Sequence, residues 1–502
     1  MTVPTVVIDE VGAVSPEEAI DAVLANPSTY EIANAIPDPD PRRGGRPRKY
    51  PKWLWVAYAA LADTYSSAWM ARAVMKYPPT WAKMRAAVQH QFPDDPAMHL
   101  PAQAPSRSWY IKFRERHIKQ HIEQYRLAHA TAALVTAQET GHEILSSADP
   151  FSMFDLTRRV GSDGKVIKPL TTAGPSDRKE VTRRDPKTGR TWTEERSVRF
   201  DPDVKEHYTG DGKQVHGSKF LIMSVNGPEV HNRVHLLADY VPGVRDEQNS
   251  ENHIQMKNFR WLSEHAPGIV GSTTDTVSRG RDLAEMQRDF GWAPAAPIAA
   301  AKVNKKTGER IEKQGFLRTL DFTPLGCNSG QVEIWHQGGW LTQRIFPIDA
   351  PEGVLERLDW KDAYRRSNVD GTYRFYVEYE ARCNCADRSH AQRVRERTDT
   401  TREDEKIPFN RSENVRMFPP GSATYKTVYG ERNDTESINR RVDDHLPFRR
   451  ARSYGWKRQL LDLLAHNHVV NSVARYRYGP DGTHRVAAIE DCLLYTSPSP
   501  RD

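Results

Sequence analysis

Three acidic residues occupy positions at which this sequence could bind divalent cations. Asp163 lies in a strand-like run, Asp275 ends the strand-like run of residues 268–275, and Glu436 lies in a late helical stretch. Hard cations such as Mg2+ and Mn2+ prefer carboxylate oxygens. Two such ions about 4 Å apart can activate the attacking oxygen of a phosphodiester reaction and stabilise its leaving oxygen. Three converging carboxylates would form such a site, although composition alone does not select these three among 66 acidic residues.

Two stretches of sequence select them. Tyr429, Arg432 and Glu436 have the spacing Y-x2-R-x3-E. Short motifs precede them at Phe200-Asp201-Pro202-Asp203, Gly210-Asp211-Gly212-Lys213, Gly217-Ser218-Lys219-Phe220, Arg233-Val234 and Asp275 with Arg279-Gly280. On these residues the chain resembles DDE transposases of bacterial insertion sequences, in particular those of actinobacteria. The resemblance covers most of residues 46–478.

The resemblance implies a fold and a set of site residues. The fold is α/β, with an RNase H-like (retroviral-integrase-like) mixed-sheet core that a β-rich insertion interrupts and a small all-α DNA-binding domain precedes. Asp163, Asp275 and Glu436 are then the catalytic residues and the ligands of two Mg2+ or Mn2+ ions. Tyr429 and Arg432 contact a DNA phosphate near the cut.

The first carboxylate has an alternative. Asp155, in the run Phe154-Asp155-Leu156-Thr157, also resembles the family's strand. We prefer Asp163 because the Val166-Ile167 pair that follows it continues a strand.

The implied reaction is metal-dependent cleavage at the terminal inverted repeats of a transposon, followed by strand transfer into target DNA. Water attacks the transposon end and frees a 3′-OH, which then attacks the target in line. The partners are double-stranded DNA and further copies of the chain, as a homodimer or higher oligomer on DNA, in a bacterial cytoplasm beside the nucleoid. Two other hypotheses are a catalytically decayed or domesticated DNA-binding protein, and an RNase H-like nuclease without strand transfer.

Two residues depart from the family pattern. The signature continues as E-x6-K, but its lysine position is occupied by Asp443. A phosphate contact there is absent or is made by Arg440, Arg441 or Arg449. Asp282 stands where close relatives often carry histidine. Neither departure removes a metal ligand.

Positive charge is concentrated in two patches that suit a DNA backbone. The first is an AT-hook-like arm, whose alternative is a solvated hinge; its cations are Arg42, Arg43, Arg46, Arg48 and Lys49. The second follows Glu436, and its alternative is a solvated helix face; its cations are Arg440, Arg441, Arg449, Arg450, Arg452, Lys457 and Arg458.

Five segments and a tail organise the chain. Residues 1–45 are predicted as a disordered linker with at most one short helix, 46–150 as the helical DNA-binding domain, and 151–303 as the first part of the core. Residues 304–425 are the β-rich insertion and 426–478 the helices that carry Glu436. Residues 479–502 form a tail, and Cys492–Asp502 resembles translated sequencing-adapter DNA, so we exclude it from the fold.

Hydrophobic periodicity predicts the elements that position these residues. In the N-terminal region, helices are expected over 53–62, after a Ser66 or Ser67 cap, after a Thr80 cap and over 108–137. In the core, strands are expected over 160–167, 219–225, 233–240, 268–275 and 298–303, and helices over 246–264, 278–290 and 456–475. The core also contains a polar excursion over residues 179–196. In the insertion, strands are expected over 331–335 and 373–379.

Two tryptophans in the insertion, Trp335 and Trp340, are candidates for stacking on a flipped DNA base. Burial in a small β module is the simpler interpretation of both. Three histidines, His231, His235 and His253, are interpreted as surface or structural residues.

The cysteines leave a metal site open. Cys383 and Cys385 are spaced C-x-C with His390 nearby, and Cys327 could be a further ligand. The usual C-x2-C spacing of zinc sites is missing, so ordinary reduced thiols are expected.

Composition excludes some classes of protein. The chain has 502 residues and a formal net charge of +6. It contains no run of about 18 apolar residues that a membrane-spanning helix needs. Its start lacks a basic segment followed by an apolar one, so no secretory signal is expected.

Overall fold

The computed structural model describes residues 14–38, 48–146, 151–172, 177–184, 188–208, 213–229, 231–243, 250–298, 302–303, 307–308, 310–327, 330–347, 350–385, 387–401, 404, 406 and 409–480. Over these residues the chain contains both helices and several β-sheets, which confirms the α/β class. The helices are α1 Pro16–Ala25, α2 Ser28–Asn34, α3 Trp53–Thr64, α4 Ala68–Lys76, α5 Pro78–Gln91, α6 Arg107–Phe113, α7 Ile122–Glu139, α8 Glu251–His265, α9 Gly280–Arg288, α10 Arg411–Asn414, α11 Ala423–His445 and α12 Trp456–Tyr478. The strands are β1 Arg159–Ile167, β2 Arg178–Arg184, β3 Thr191–Ser197, β4 Lys205–Tyr208, β5 Gln214–Asn226, β6 Arg233–Val241, β7 Gly271–Thr273, β8 Lys302–Val303, β9 Arg310–Ile311, β10 Gln314–Asp321, β11 Gln331–Gln337, β12 Trp340–Ile345, β13 Val354–Arg357, β14 Asp359–Ser367, β15 Tyr373–Arg382 and β16 Ala391–Arg397.

The chain divides into two compact units. Unit 1 contains Met1–Glu143, Gly164–Asn249 and Ile438–Asp502, and unit 2 contains Ile144–Asp163 and Ser250–Ser437. Strand β1 and helix α11 each have residues in both units. The largest sheet has the strand order β4-β5-β1-β7, and β6 also pairs with β5.

Unit 1 combines antiparallel strands with packed helices. Strand β5 pairs with β4 and with β6, and Asn226 stands opposite Arg233 across the β5–β6 turn, as the sequence predicts. Helix α3 is apolar around its whole circumference, which is typical of a buried helix. Its Leu54 and Tyr58 are fully buried. The long helix α12 packs against α1, α3, α7 and β6, so the N-terminal helices belong to the same core as the last helix.

Unit 2 contains a parallel strand pair and two antiparallel sheets. Strand β1 pairs in parallel with β7. The two antiparallel sheets have the orders β10-β11-β12-β13 and β14-β15-β16. One apolar cluster joins them, with Phe322, Val332, Phe375 and Tyr379 fully buried.

Helices α1 and α2 lie within residues 1–45, which were predicted to be a disordered linker. Helix α1 buries Ala19, Ile20, Val23 and Leu24, which recur at helical spacing, and the Ser15 hydroxyl caps it. The acidic and proline-rich composition of residues 1–45 conceals this short amphipathic pattern, because only part of the segment carries it.

Three further elements differ from the expectations. Ser67 caps α4 as predicted, but Thr80 caps nothing, since α5 begins at Pro78. Proline suits a first helical position because it needs no backbone donor there. Residues 179–184 and 191–196 of the expected polar excursion lie in the antiparallel strands β2 and β3. The helix expected over 108–137 is divided by a π turn at Arg114–Ile118.

None of the described helices has both the length and the apolar character needed to cross a bilayer.

Candidate functional site

Two of the predicted carboxylates follow the paired residues of strands β1 and β7. Strands β1 and β7 pair with Arg159 opposite Gly271 and Gly161 opposite Thr273. Asp163 and Asp275 each lie two residues beyond the last paired residues, Gly161 and Thr273. The strands are parallel, so both carboxylates lie toward the carboxyl end of the pair, where ligands of such sheets bind.

A buried arginine holds these strands in place. The guanidinium of Arg159 donates to the carbonyl of Met153 at 2.9 Å, to that of Ser272 at 3.0 Å and to that of Ala293. The Ala293 amide in turn donates to the Val270 carbonyl at 2.8 Å. One cationic side chain therefore links β1, β7 and the segment beyond β7.

Side chains between β1 and α8 support the same end of the sheet. The Gln255 amide nitrogen on α8 donates to the Ser162 hydroxyl at 3.0 Å, and the Ser278 hydroxyl donates to Gln255 Oε1 at 2.8 Å. Asp275 accepts from the Val277 amide at 2.9 Å. This last hydrogen bond closes a turn after the strand and fixes the position of the Asp275 carboxylate.

Helix α11 supplies the third carboxylate. Tyr429, Arg432 and Glu436 are three and four residues apart, so they share one face of the helix. Arg432 donates to the Tyr429 hydroxyl at 3.2 Å and to Glu436 Oε1 at 3.3 Å. Its Nη2 lies 4.0 Å from Asp163 Oδ1, which brings the helix to β1.

The three carboxylates affect the pKa values of Arg432 and Tyr429. Burial opposes the charge of Arg432, but Tyr429, Asp163 and Asp275 stabilise it, so the pKa of Arg432 is raised. Burial raises the pKa of Tyr429; Arg432 opposes this increase, and Asp275 and Glu436 add to it. Arg432 therefore lies within ion-pair distance of Asp163 and Glu436, and the charge of Asp275 also acts on Tyr429 and Arg432, which we call the Tyr–Arg pair.

The site is open to solvent on the helix side. The side chain of Glu436 is 59% exposed and that of Asp163 is 16% exposed. Asp163, on the strand, is therefore largely buried, whereas Glu436, on the helix, is accessible to solvent.

The three carboxylates do not by themselves form a closed metal cage. In the described part of the chain, two groups of side chains bring all their ligand atoms within 4.8 Å of one another, and these carboxylates are not among them. The positive charge of Arg432 lies among them instead. The donor set still fits Mg2+ or Mn2+, because these ions take hard oxygen ligands and retain several waters.

Asp155, the alternative first carboxylate, has a local structural role. Its Oδ1 accepts from the Thr157 amide at 3.1 Å, and its Oδ2 accepts from Arg158 Nε at 2.7 Å. Burial raises the pKa of Asp155, but Thr157 and Arg158 outweigh it, and the pKa is lowered. These contacts favour Asp163 over Asp155.

The two departures from the family pattern each have a partner. Asp443 accepts from Lys165 Nζ at 2.6 Å, an ion pair within unit 1. Asp282 accepts from the Arg279 amide at 2.9 Å and from the Asn252 side chain at 2.8 Å, so it caps the start of α9.

The N-terminal basic arm is described only at its end. Arg42, Arg43 and Arg46 lie outside the described residues. Arg48 donates to Asp38 Oδ1 and to the Pro37 carbonyl, both at 3.0 Å. Lys49 is exposed.

Two cations of the second patch are taken up by ion pairs inside unit 1. Arg452 donates to Asp63 Oδ1 at 2.7 Å, and Arg458 donates to both oxygens of Glu115 at 2.7 Å. These partners precede the patch by more than 300 residues. The position of these cations shortly after Glu436 in the sequence therefore suggested more free positive charge for DNA than the structure leaves.

The other cations of the patch differ in exposure. Arg440 and Arg449 are exposed, and Arg441 is half-buried. Arg450 donates to the Pro169 carbonyl at 3.1 Å. Arg440 and Arg449 are therefore the better candidates for a phosphate contact.

The tryptophans of the insertion are half-buried and have partners. Trp335 packs edge-on against Phe316, and the guanidinium of Arg344 lies 4.3 Å from its ring centroid. Trp340 Nε1 donates to the Pro420 carbonyl at 2.9 Å. These contacts agree with a packing role in the β module.

Two groups of residues were not assigned from the sequence. Asp63, His445 and His466 form a polar cluster in unit 1, and Arg452 already supplies its positive charge. Cys327, Cys383, Cys385 and His390 form a second group in unit 2. For the second group the C-x-C spacing with a following histidine was a signal, but it did not show that Cys327 joins it.

His235 is a structural residue. It is buried, and its Nδ1 lies 2.9 Å from Asn467 Oδ1. Burial and the neighbouring His466 lower the pKa of His235 to about 3. A neutral ring here fits packing and not proton transfer near neutral pH.

No protein-family model matches the sequence, and none of the curated proteins matches it.

Proposed function

We propose that the chain is a DNA transposase that cleaves transposon ends and joins them to target DNA, with Asp163, Asp275 and Glu436 as its catalytic carboxylates. The observation that carries the proposal is the convergence of these three residues, distant in sequence, on the Tyr–Arg pair. Double-stranded DNA is the proposed partner, bound by a dimer or higher oligomer beside the nucleoid.

The fold supports this proposal at a coarse level. The largest sheet is mixed, with antiparallel β5–β6 pairing and parallel β1–β7 pairing. Such a sheet is compatible with an RNase H-like core. Strands β10–β16 lie between Asp275 and Glu436 in the chain, where the resemblance implies a β-rich insertion.

The carboxylates would hold the divalent ions, and the Tyr–Arg pair would hold DNA. Asp163, Asp275 and Glu436 offer the hard oxygen ligands that Mg2+ or Mn2+ takes, and such ions stabilise charge on both oxygens of a phosphodiester displacement. The guanidinium of Arg432 can donate two parallel hydrogen bonds to a phosphate. The Tyr429 hydroxyl accepts from this guanidinium and orients it.

The decisive experiment measures cleavage and strand transfer by the full chain. The substrate is DNA that carries the inverted repeats flanking the coding region, with Mg2+, Mn2+ or a chelator. We expect metal-dependent cleavage, and a loss of about a thousandfold or more for Asp163→Asn and for Glu436→Gln, because each removes a ligand worth several kcal/mol in the transition state.

Two control variants sharpen the result. Asp155→Asn tests the alternative first carboxylate, and Asp444→Asn changes an exposed carboxylate at the end of α11. Both should retain cleavage. If Asp155→Asn abolishes cleavage while Asp163→Asn does not, the assignment of the first carboxylate is wrong.

The same assay separates the two other hypotheses. Cleavage without joining of pre-cut ends would indicate a nuclease. Binding that weakens steeply with salt, without any metal-dependent cleavage, would indicate a DNA-binding protein that has lost catalysis.

A further inference from the structure

We propose that unit 2 contains a structural zinc site formed by Cys327, Cys383, Cys385 and His390. These four side chains bring three sulfurs and one imidazole nitrogen within 4.8 Å of one another. Three cysteines and one histidine are one of the ligand sets of closed, four-coordinate zinc sites. The site lies apart in sequence from the three carboxylates and does not depend on the proposed function.

Hairpin register explains the unusual spacing of three of the ligands. Strands β15 and β16 pair with Arg382 opposite Ala391. The next residues inward are Cys383 and His390, and the Cys383 amide donates to the His390 carbonyl at 3.0 Å. The C-x-C-x4-H pattern is therefore a turn whose two ends face each other, and it needs no C-x2-C knuckle.

The fourth ligand comes from the other sheet. Strand β10 ends at Asp321 and leads into a turn in which Gly326 has a left-handed φ of 79°. The chain then presents Cys327, whose amide lies 3.3 Å from the Phe322 carbonyl and whose side chain is buried. An ion at this point would link the β10–β13 sheet to the β15–β16 hairpin.

Two of the separations between ligand atoms agree with a shared zinc ion. Zn–S and Zn–N bonds of about 2.3 Å and 2.0 Å in a tetrahedron place two sulfurs about 3.8 Å apart, and a sulfur and a nitrogen about 3.5 Å apart. Cys327 Sγ lies 3.6 Å from Cys385 Sγ, and Cys383 Sγ lies 3.8 Å from His390 Nδ1.

The ligand chemistry selects zinc over the ions of the carboxylate site. Thiolates are soft ligands that favour zinc, whereas Mg2+ and Mn2+ favour carboxylates and water. Cys327 and Cys383 are buried, and Cys385 and His390 are half-buried. Four protein ligands in a mostly buried position leave no open coordination position, which is typical of a structural site.

The hairpin is held from a second direction. The Arg382 amide donates to Gln343 Oε1 at 2.9 Å, and the Asn384 side chain donates to the Arg344 carbonyl at 3.1 Å. Both partners lie on β12. The ligands are thus presented by backbone that is fixed by contacts outside the cluster.

A disulfide is the competing use of two of these sulfurs. Cys383 and Cys385 form a disulfide in the structure. Zinc binds the reduced form: three thiols lose their protons to the solvent and no electrons are transferred. A cytosolic protein is kept reduced by its surroundings, so the thiols are available there.

The first test is metal content. The full chain, purified under reducing conditions without chelator, should contain about one zinc per chain by elemental analysis. Cys327→Ser and His390→Gln should lose most of it. The matched controls are Cys492→Ser, which lies outside the described residues, and His253→Gln, an exposed histidine of α8; both should keep their zinc.

The second test remains informative where a ligand variant does not fold. Wild-type protein loaded with Co2+ should show the intense visible bands and the sulfur-to-cobalt charge transfer of a tetrahedral thiolate site. Wild-type protein without zinc, whose four thiols are intact by chemical titration and which gives no cobalt bands, would overturn the proposal. So would a Cys383–Cys385 disulfide that persists under reducing conditions.

Discussion

In unit 1 the side chain of Asp63 is 1% exposed, and Arg452, His466 and His445 surround it. In unit 2 the carboxylates of Asp163 and Glu436 are 16% and 59% exposed and share Arg432. The first carboxylate is fully balanced by its partners, whereas the second group carries more negative charge than its one arginine can balance. Exposed negative charge can attract divalent cations, so the comparison separates an acid whose charge is balanced inside the fold from the acids of the proposed metal site.

The pKa values express the same difference. Burial raises the pKa of Asp63, but Arg452 and His466 outweigh it and lower the pKa to about 2. Burial also lowers the pKa values of His445 and His468 to about 4. Unit 1 therefore contains ionisable groups whose charge state is set by packing.

The largest expected effect on stability comes from breaking the charge balance in unit 1. Asp63→Asn should lower the free energy of unfolding by about 3–5 kcal/mol, because it removes the carboxylate that pairs with the buried Arg452. Asp275→Asn in unit 2 should lower it by less than about 1 kcal/mol, since its oxygen can still accept from the Val277 amide. Urea denaturation of both variants measures this.

The comparison predicts opposite results for function. Asp275→Asn should abolish metal-dependent cleavage while the protein stays folded. Asp63→Asn should retain cleavage at temperatures where it is folded. If the two variants lose stability equally, the distinction between the units is wrong.

The second effect is a loss of stability in acid. The folded pKa of His468 is about 4 because the ring is buried, and the unfolded value is near 6.5. Between these values the unfolded chain binds more protons, so stability is fully present above pH 6.5 and falls as the pH drops toward 4. The contribution of one such histidine is roughly 3 kcal/mol over this window.

Substitution at His468 tests this assignment. His468→Gln should flatten the decrease of unfolding free energy between pH 6.5 and 4, whereas His253→Gln, at an exposed position, should not. Unfolding free energies measured over this pH range decide the question. An unchanged pH dependence in His468→Gln would show that the ring is not buried in neutral form.

The smallest effect concerns the Tyr–Arg pair. Tyr429→Phe removes the hydroxyl that accepts from Arg432, at a cost of about 1 kcal/mol, or roughly fivefold in cleavage rate. Tyr425→Phe, on the ring stacked against Tyr429, is the matched control and should leave the rate unchanged. Equal losses in both variants would assign the effect to ring packing and not to the hydroxyl.

Local patterns were sufficient to predict some of this structure. Apolar runs identified β5, β6 and α12, and the 3–4 spacing of Tyr429, Arg432 and Glu436 placed them on one helix face. The choice of Asp163 over Asp155 also used the strand that continues through Ile167, but it depended first on the family resemblance and stays a prediction. These features depend on residues that are close in the chain.

Features that depend on distant residues could not be predicted. Arg458 looked available for DNA until Glu115, 343 residues earlier, became its partner. Cys327 could be named as a possible further ligand, but nothing local in the sequence shows that it meets Cys383. In both cases the decisive contact is made by tertiary packing, which neither composition nor periodicity encodes.

The order of synthesis gives the carboxylate site a further property. Asp163 and Asp275 are made long before Glu436, which completes the site from α11. At about 5–20 residues per second, the interval between Asp163 and Glu436 is on the order of tens of seconds. During that interval the growing chain lacks its third carboxylate, so a proposed DNA-cutting centre stays incomplete until most of the protein has been synthesised.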